Sequence, residues 1–259
     1  MSWIITSSFY GYIADVDARD YLARVHNAEG QTLEPAVALA IEAFVIGCKA
    51  DGIWPAIKAS CIMAGARTLA GALVPLVGAA PTRFGTEGGW SYNRKTGTAG
   101  NGTDNYLNSN RANNADPQNN SHIAVRVSSQ GTGSIVSSGD NFSTGRNSID
   151  DTGIFGRFDC RSFAAVSTSR INANTLAAVS RSSSASFTYR LNGSTMAQVV
   201  TSSPPDSVNT FVYARSNGGV IQSFSSARLA FYSIGESLNL ALLDARVTTL
   251  INTFGAVIP

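Results

Sequence analysis

Apolar residues along the chain follow two different periods, and the change falls near residue 80. Upstream the spacing is helical. Asp15 or Asp17 can cap a short helix carrying Tyr21, Leu22 and Val25, with Gly30 at its end. Thr32 and Pro35 open a second helix. Its Val37, Ile41, Phe44, Val45 and Cys48 fall at i, i+4, i+7, i+8 and i+11, which is one helical face. Asp51-Gly52 stops it. Trp54-Pro55 is expected to open a third helix, with proline at its first position and Ile57 and Cys61 continuing the face. Downstream the apolar residues alternate: Ile123, Val125, Val127; Phe187, Tyr189, Leu191; Phe211, Tyr213; Leu229, Phe231. Alternation means half-buried strands. Asn192-Gly193 divides Ser186–Leu191 from Thr195–Thr201, and Asn217-Gly218 divides Thr210–Arg215 from Val220–Phe224. Both pairs signal hairpins, because a tight turn wants positive φ at both central positions. Roughly eight to ten short strands without intervening helices predict an antiparallel sandwich. At the end, Leu240, Leu243, Val247, Leu250, Ile251 and Phe254 return to helical spacing, with Asn239 as cap and Gly255 just past the last turn.

The chain therefore reads as mainly β. An N-terminal helical segment over 1–68 has apolar stripes that need a partner and makes it the candidate for anchoring or oligomer contacts. A β-sandwich with a C-terminal helix occupies 69–259. The 259 residues are enough for a large core without staples. Charged residues make up only 14% and the net charge is +2, which excludes an electrostatically driven nucleic-acid binder and a charge-driven disordered tail. Asparagine is rare before residue 80 and frequent after it, alongside many Ser and Gly turns. Met1–Tyr12 shows no basic n-region and no long apolar h-region, so no secretory leader is expected. Arg67, Gly65, Gly71 and Pro75 interrupt the apolar stretch from Ala59 to Ala80, so no membrane span is expected there. Three cysteines with no C-x-x-C spacing read as buried thiols. Cys48 and Cys61 fall on neighbouring predicted helices, where a bond depends on geometry.

Catalytic equipment is sparse. His26 and His122 are the only histidines, neither sits in a G-x-S-x-G context, and no four-ligand zinc set exists. The glutamates Glu29, Glu34, Glu42, Glu87 and Glu236 lie mostly outside the strands, and Asp150-Asp151 read as a turn. Asp15-x-Asp17-x-x-Asp20 lacks the glycine and distal glutamate of an EF-hand and is better explained by helix capping. The polar loop Ser109–Asn120, with Asp116, is either a calcium-holding rim loop or, as favoured here, an ordinary loop whose tip Asn113–Asn119 tolerates deletion. Trp90 and Tyr92 are either an exposed sugar platform or, more in keeping with strand positions, core. No catalytic residue, cofactor site or metal ligand is assigned, and the ligand-binding residues are left open.

Two segments resemble the laminin-G-like, concanavalin-type jelly roll. In RKTGTAGNGTDNYLNSN, Arg94 to Asn110, Gly100 and Gly102 precede Tyr106 and Leu107 as in that fold's early strand pair; ARLAFYSIGESLNLALLDARVTTL, Ala227 to Leu250, resembles its closing strand and helix. The Ala-rich stretch from Leu33 to Thr82 is similar to proteins of tailed bacteriophages in which such helices lead into a laminin-G-like sandwich. The resemblance implies a non-enzymatic virion structural protein located in the virion. It would be a surface appendage: a tail or baseplate fibre, a receptor-binding protein or a head decoration. Its partners would be itself, as a homo-oligomer and by analogy a trimer, other virion proteins, and host surface glycans, with no nucleic acid and no membrane span. The alternative is a free carbohydrate-binding lectin-like module, in which calcium is a cofactor candidate. Hydrolases on this kind of sandwich carry a Glu-x-Asp-x-x-Glu strand, which is missing here, so an enzyme is disfavoured.

Overall fold

The computed structural model describes residues 10–259. Asp15 caps α1 (Val16–Glu29) by accepting from the amides of Asp17 and Ala18, and Gly30 closes it at φ 72°. Pro35 starts α2 (Pro35–Ala50), and a single helical turn, α3 (Leu69–Ala72), follows further along. Glu42 of α2 accepts from the Ala14 and Asp15 amides, so the second helix holds the entry of the first.

The expected third helix does not form. Trp54–Ala56 make one 3-10 turn and the chain enters a strand, β1 (Ile57–Ile62). Five of its six residues are buried. A strand covered on both faces shows no clean alternation, so its apolar run reads equally well as a helix continuing from α2.

The first sheet runs β14 (Ser194–Val199), β13 (Ser186–Leu191), β12 (Thr175–Arg181), β7 (Ser121–Ser129), β18 (Arg228–Gly235), β1 and β2 (Pro75–Val77). β5 (Gly97–Ala99) also pairs with β18, and β4 (Ser91–Asn93) with β5. The second sheet runs β11 (Val166–Ser167), β10 (Gly156–Cys160), β9 (Asn147–Asp151), β8 (Gly133–Ser138), β15 (Asn209–Val212), β6 (Tyr106–Ala112) and β3 (Thr82–Phe84). A separate hairpin joins β16 (Arg215–Asn217) to β17 (Val220–Gln222). Every ladder is antiparallel. Asn192 and Gly193, at φ 50° and 83°, make the two-residue turn between β13 and β14 as expected. In the second expected hairpin the turn is Gly218-Gly219, Asn217 pairs with Val220, and β15 belongs to the second sheet instead.

Three layers result. Ile123, Val125, Val127, Ala177 and Val179 point between the sheets, where they meet Ile149, Phe158, Leu107 and Val212. The opposite face of the first sheet, with Ala124, Leu176 and Ala178, receives the helices. A bulge in β18 makes this possible: Leu229 pairs with Val127 and Phe231 with Arg126, so Ala230 is extra. The phase flips there, putting Leu229 between the sheets and Phe231 against the helices. Phe44 of α2 meets Phe231 edge-on, with centroids 5.7 Å apart. α4 (Leu240–Val257), capped by Asn239, lies in the same layer, and Gly255 falls inside it, not beyond it. Its Arg246 pairs with Asp51 at the end of α2 at 2.7 Å. α4 is also long and apolar enough to cross a membrane by length and composition; here its apolar face is spent on the sheet.

Segment 1–68 thus supplies β1 to the interior of the first sheet, and its stripes Tyr21, Leu22, Val25, Val37, Ile41 and Phe44 are buried in this chain's own core. Cys48 sits on the helix side of the first sheet and Cys61 between the sheets, where its thiol donates to Tyr232 at 3.3 Å. The sheet separates them, so the pairing left open by sequence is not made and all three thiols are free.

Candidate binding cleft

Strand β9 places Ile149, and β10 places Phe158 and Cys160, in the inter-sheet core. Because side chains alternate, their neighbours Ser148, Asp150, Arg157 and Asp159 face the other way, over the outer surface of the second sheet. Register lines these up in two cross-strand rows. One is Ser167, Arg157, Asp150 and Ser134. The other is Asp159, Ser148, Ser137, Phe211 and Asn108. Asp150 and Asp151 are therefore strand residues, correcting the turn expected from sequence.

The β16–β17 hairpin and the 139–146 loop border this surface. Asp140 ties them together, accepting from Ser216 Oγ at 2.7 Å and the Gly219 amide at 3.2 Å. Burial pushes its carboxyl up, but the Phe142, Gly218 and Gly219 amides and the Ser216 hydroxyl outweigh that and hold it at about 2. Arg146 reaches from the loop to Asp159 at 2.8 Å and lies under the Phe163 ring, 4.5 Å from its centroid. Burial still drives the Asp159 carboxyl upward against that guanidinium.

A cleft of about 220 Å³ opens here, lined by Ser134, Asp150, Asp151, Arg157, Arg215 and Ser223 among others. Three of its polar atoms are buried with no hydrogen-bond partner: Asp150 Oδ1, Ser134 Oγ and Arg215 Nε. Buried polar groups are normally satisfied, so three orphans on one cleft need an explanation. Asp150 and Ser134 are 7% and 1% exposed. The other Asp150 oxygen lies 3.3 Å from Ser148 Oγ, which is also 3.0 Å from Asp159, so one hydroxyl proton is shared between two carboxylates. Asp151 is committed to Arg170 at 3.2 Å and to the Gly153 amide. Beyond the second row, Phe84 and Tyr106 stack at 4.8 Å, and Tyr106 meets Phe211 edge-on at 5.9 Å. Phe84 is 40% exposed. A second hollow, about 180 Å³ and lined by Ser180, Ser182, Ser186 and Thr188 among others, holds no orphaned atom among its lining residues.

Apart from Asp150 and Asp151, the residues singled out by sequence lie elsewhere. Asp116 is paired with Arg111, Nε to Oδ2 at 3.0 Å. The buried Arg161 donates to the Asn113 side chain and to the carbonyls of Asn113 (2.8 Å) and Asp116 (3.0 Å). The Ser109–Asn120 loop is thus built around an arginine, and Asn113 and Asp116 are buried; its tip is part of the packing, contrary to the expected tolerance of deletion. Among the described residues no group of three or more His, Cys, Asp or Glu could hold a metal. Trp90 meets Tyr213 edge-on at 5.8 Å and the Tyr92 hydroxyl donates to the Ala66 carbonyl, so both are packing residues. Asp15 and Asp17 share Lys49. His122 is fully buried on the helix side, between Ser233 Oγ at 2.7 Å and the Glu236 carbonyl at 2.5 Å. Burial lowers it to about 4, so it is neutral. His26 is half-buried near the end of α1.

No family model matches the chain, and no curated protein matches it. Among similar solved structures, a mutant of Trypanosoma rangeli sialidase displaying trans-sialidase activity shares 13% identity at a TM-score of 0.46, over 83% of this chain and 39% of that one. The Ruminococcus gnavus IT-sialidase CBM40 bound to α2,3 sialyllactose shares 11% identity at 0.38, over 51% of this chain and 83% of that one. Domain 4 of AbnA, an extracellular arabinanase from Geobacillus stearothermophilus, in complex with arabinotriose, shares 10% at 0.38, over 65% and 82%. This chain spans 24% of the Streptococcus pneumoniae NanB sialidase, which it matches at a TM-score of 0.38.

Proposed function

We propose that the protein is a glycan-binding β-sandwich module that binds through the outer cleft of its second sheet and carries out no reaction there. The convergence of three buried, unpartnered polar atoms on one open cleft carries this reading. A sugar hydroxyl both donates and accepts. It can donate to Asp150 Oδ1, accept from Arg215 Nε, and do either with Ser134 Oγ. Pairing relieves the cost of leaving those atoms dry, which in each case is about 1–3 kcal/mol. The Phe84–Tyr106 stack, on the same sheet and across β15 from Ser134, offers the apolar platform that a pyranose face needs.

The carboxylates support binding over catalysis. Glycoside hydrolysis uses two carboxyl groups flanking the bond, about 5–5.5 Å apart for retention. Of the two carboxylates that line the cleft, only Asp150 has an oxygen without a partner. Asp159 is fully buried under Arg146, and Asp151 is paired with Arg170. The setting implied by the tailed-phage resemblance, a virion appendage displaying several copies, would turn weak single-site contacts into avid attachment. An array of bacterial and host oligosaccharides, probed with the wild-type protein and with Asp150→Ala, tests the reading. Retention of a defined set of glycans by the wild type and its loss in the variant is the expected result. No retained glycan, or retention indifferent to Asp150, overturns it.

A further inference from the structure

The chain has sixteen arginines. Nearly all are spoken for. Arg83, Arg94, Arg111, Arg146, Arg170, Arg190 and Arg246 sit in ion pairs with carboxylates. Arg67 and Arg126 likewise face Glu34 and Asp244. Arg161 and Arg181 are buried among backbone carbonyls that they satisfy. Arg19, Arg24 and Arg228 each donate to a carbonyl. Among the described residues only Arg157 and Arg215 have no side-chain hydrogen bond and no ion pair. Both line the same cleft. One comes from the floor, on β10, and the other from the bordering hairpin, on β16.

We infer that the cleft selects an acidic glycan, one carrying a carboxylate or a sulfate group, and that Arg157 and Arg215 hold that group while Asp150 and Ser134 take a neighbouring sugar hydroxyl; this rests on the glycan-binding reading above. A guanidinium presents a planar fork of donors that matches the paired oxygens of a carboxylate or sulfate. Two such forks without a protein partner line one cleft, one of them with a buried unpaired Nε, and together they offer the donors that an anionic group accepts from. Asp151 and Arg170 cancel, which leaves the cleft with two free positive charges and one free negative charge. In register Asp150 lies between Arg157 and Ser134, so the anion belongs on the guanidiniums while the Asp150 carboxylate takes a hydroxyl donor beside it.

The test uses the full chain and matched glycan pairs: oligogalacturonates with their methyl esters, and sulfated chondroitin and heparin oligosaccharides with their desulfated forms, placed on the same array as the neutral oligosaccharides. Arg157→Gln and Arg215→Gln are the variants. Neither arginine has a partner to lose, so both variants should melt with the wild type, and circular dichroism verifies that they are folded. The expected result is retention of acidic members, at least about tenfold weaker after esterification or desulfation and in either variant, and weakened by raising NaCl. Loss on esterification identifies a carboxylate ligand, and loss on desulfation a sulfate; either supports the inference. Arg→Lys at both positions keeps the charge without the fork and should restore only part of the binding. Retention of neutral glycans alone, with both Arg→Gln variants unaffected, overturns the acidic selection but leaves the glycan-binding reading standing. No retention of any glycan overturns both.

Discussion

Ser134→Ala should make the free protein more stable and the ligand-bound protein harder to form. Ser134 is 1% exposed, sits opposite Asp150 in the sheet, and its hydroxyl has no hydrogen-bond partner. Removing it takes away a buried unsatisfied group and breaks nothing. The stranded hydroxyl costs about 1–3 kcal/mol, of which an alanine recovers about 1 after the small space it leaves. For a chain of this size that is a rise in Tm of about 2–4 °C. Ser138 is the control. It is equally buried, but its hydroxyl lies 2.6 Å from Thr210 Oγ1, so Ser138→Ala strands Thr210 and should lower stability by about 1–2 kcal/mol. Thermal melts and urea titrations of both variants read the difference in sign. Binding of a retained glycan should weaken about five- to tenfold in Ser134→Ala, the worth of one ordinary hydrogen bond. A Ser134→Ala protein that melts below the wild type by as much as Ser138→Ala, with binding unchanged, would refute the reasoning, because the hydroxyl would then be serving the fold.

Other expectations concern the scaffold. Phe44→Ala should cost about 3–5 kcal/mol in urea unfolding, because the ring is 3% exposed against Phe231 within the chain's own core; a loss under 1 kcal/mol would mean that the helical layer is only loosely attached. Arg161→Met should cost about 2–4 kcal/mol by stranding the Asn113 and Asp116 carbonyls, and deletion of Asn113–Asn119 should abolish the cooperative melt; a deletion that melts with the wild type would contradict the packed loop. His122 links stability to pH. Its folded-state value, about 4, lies below the ordinary 6.5, so the unfolded chain binds the extra proton between them. Its contribution is complete above 6.5 and is lost as pH falls toward 4, about 3 kcal/mol in all. An NMR titration should show its ring silent from pH 8 to 5, and titration near 6.5 would contradict the buried neutral ring.

Where a segment buries one face only, its residues announced it. The stripes of α1, α2 and α4 and the alternation of β13 are readable because the opposite face is partly open, so apolar and polar positions separate; β7 is buried on both faces but still alternates, because His122, Ala124 and Arg126 face the helices opposite Ile123, Val125 and Val127. The Asn192-Gly193 turn was legible for a local reason, since two adjacent positive φ angles select those residues. β1 was not, because burial on both faces erases the period that distinguishes strand from helix. β9 is hidden for the opposite reason: its one core residue, Ile149, has no period, and β10 offers only Phe158 and Cys160, too short a run to set one. Asp150-Asp151 reads as a turn although both residues are in β9 and line the cleft. The cleft itself joins Ser134, Asp150, Arg157 and Arg215, which register and a returning hairpin bring together from four separate strands or strand ends. Sequence spacing carries no trace of that. What sequence did carry was the pair Ser148-x-Asp150 and Arg157-x-Asp159, alternate polar residues around an apolar one, which marks a strand with a polar outer face.

The most direct test is an NMR titration of the full chain with an acidic oligosaccharide retained on the array, following the arginine Nε–H signals and the backbone amides together. The expected result is that the Arg157 and Arg215 Nε–H resonances shift with the ligand and that amide shifts cluster on Ser134, Asp150 and Ser223. Shifts confined to the Ser109–Asn120 loop or to the helical layer, with both arginine signals unmoved, would contradict a glycan site on the outer face of the second sheet.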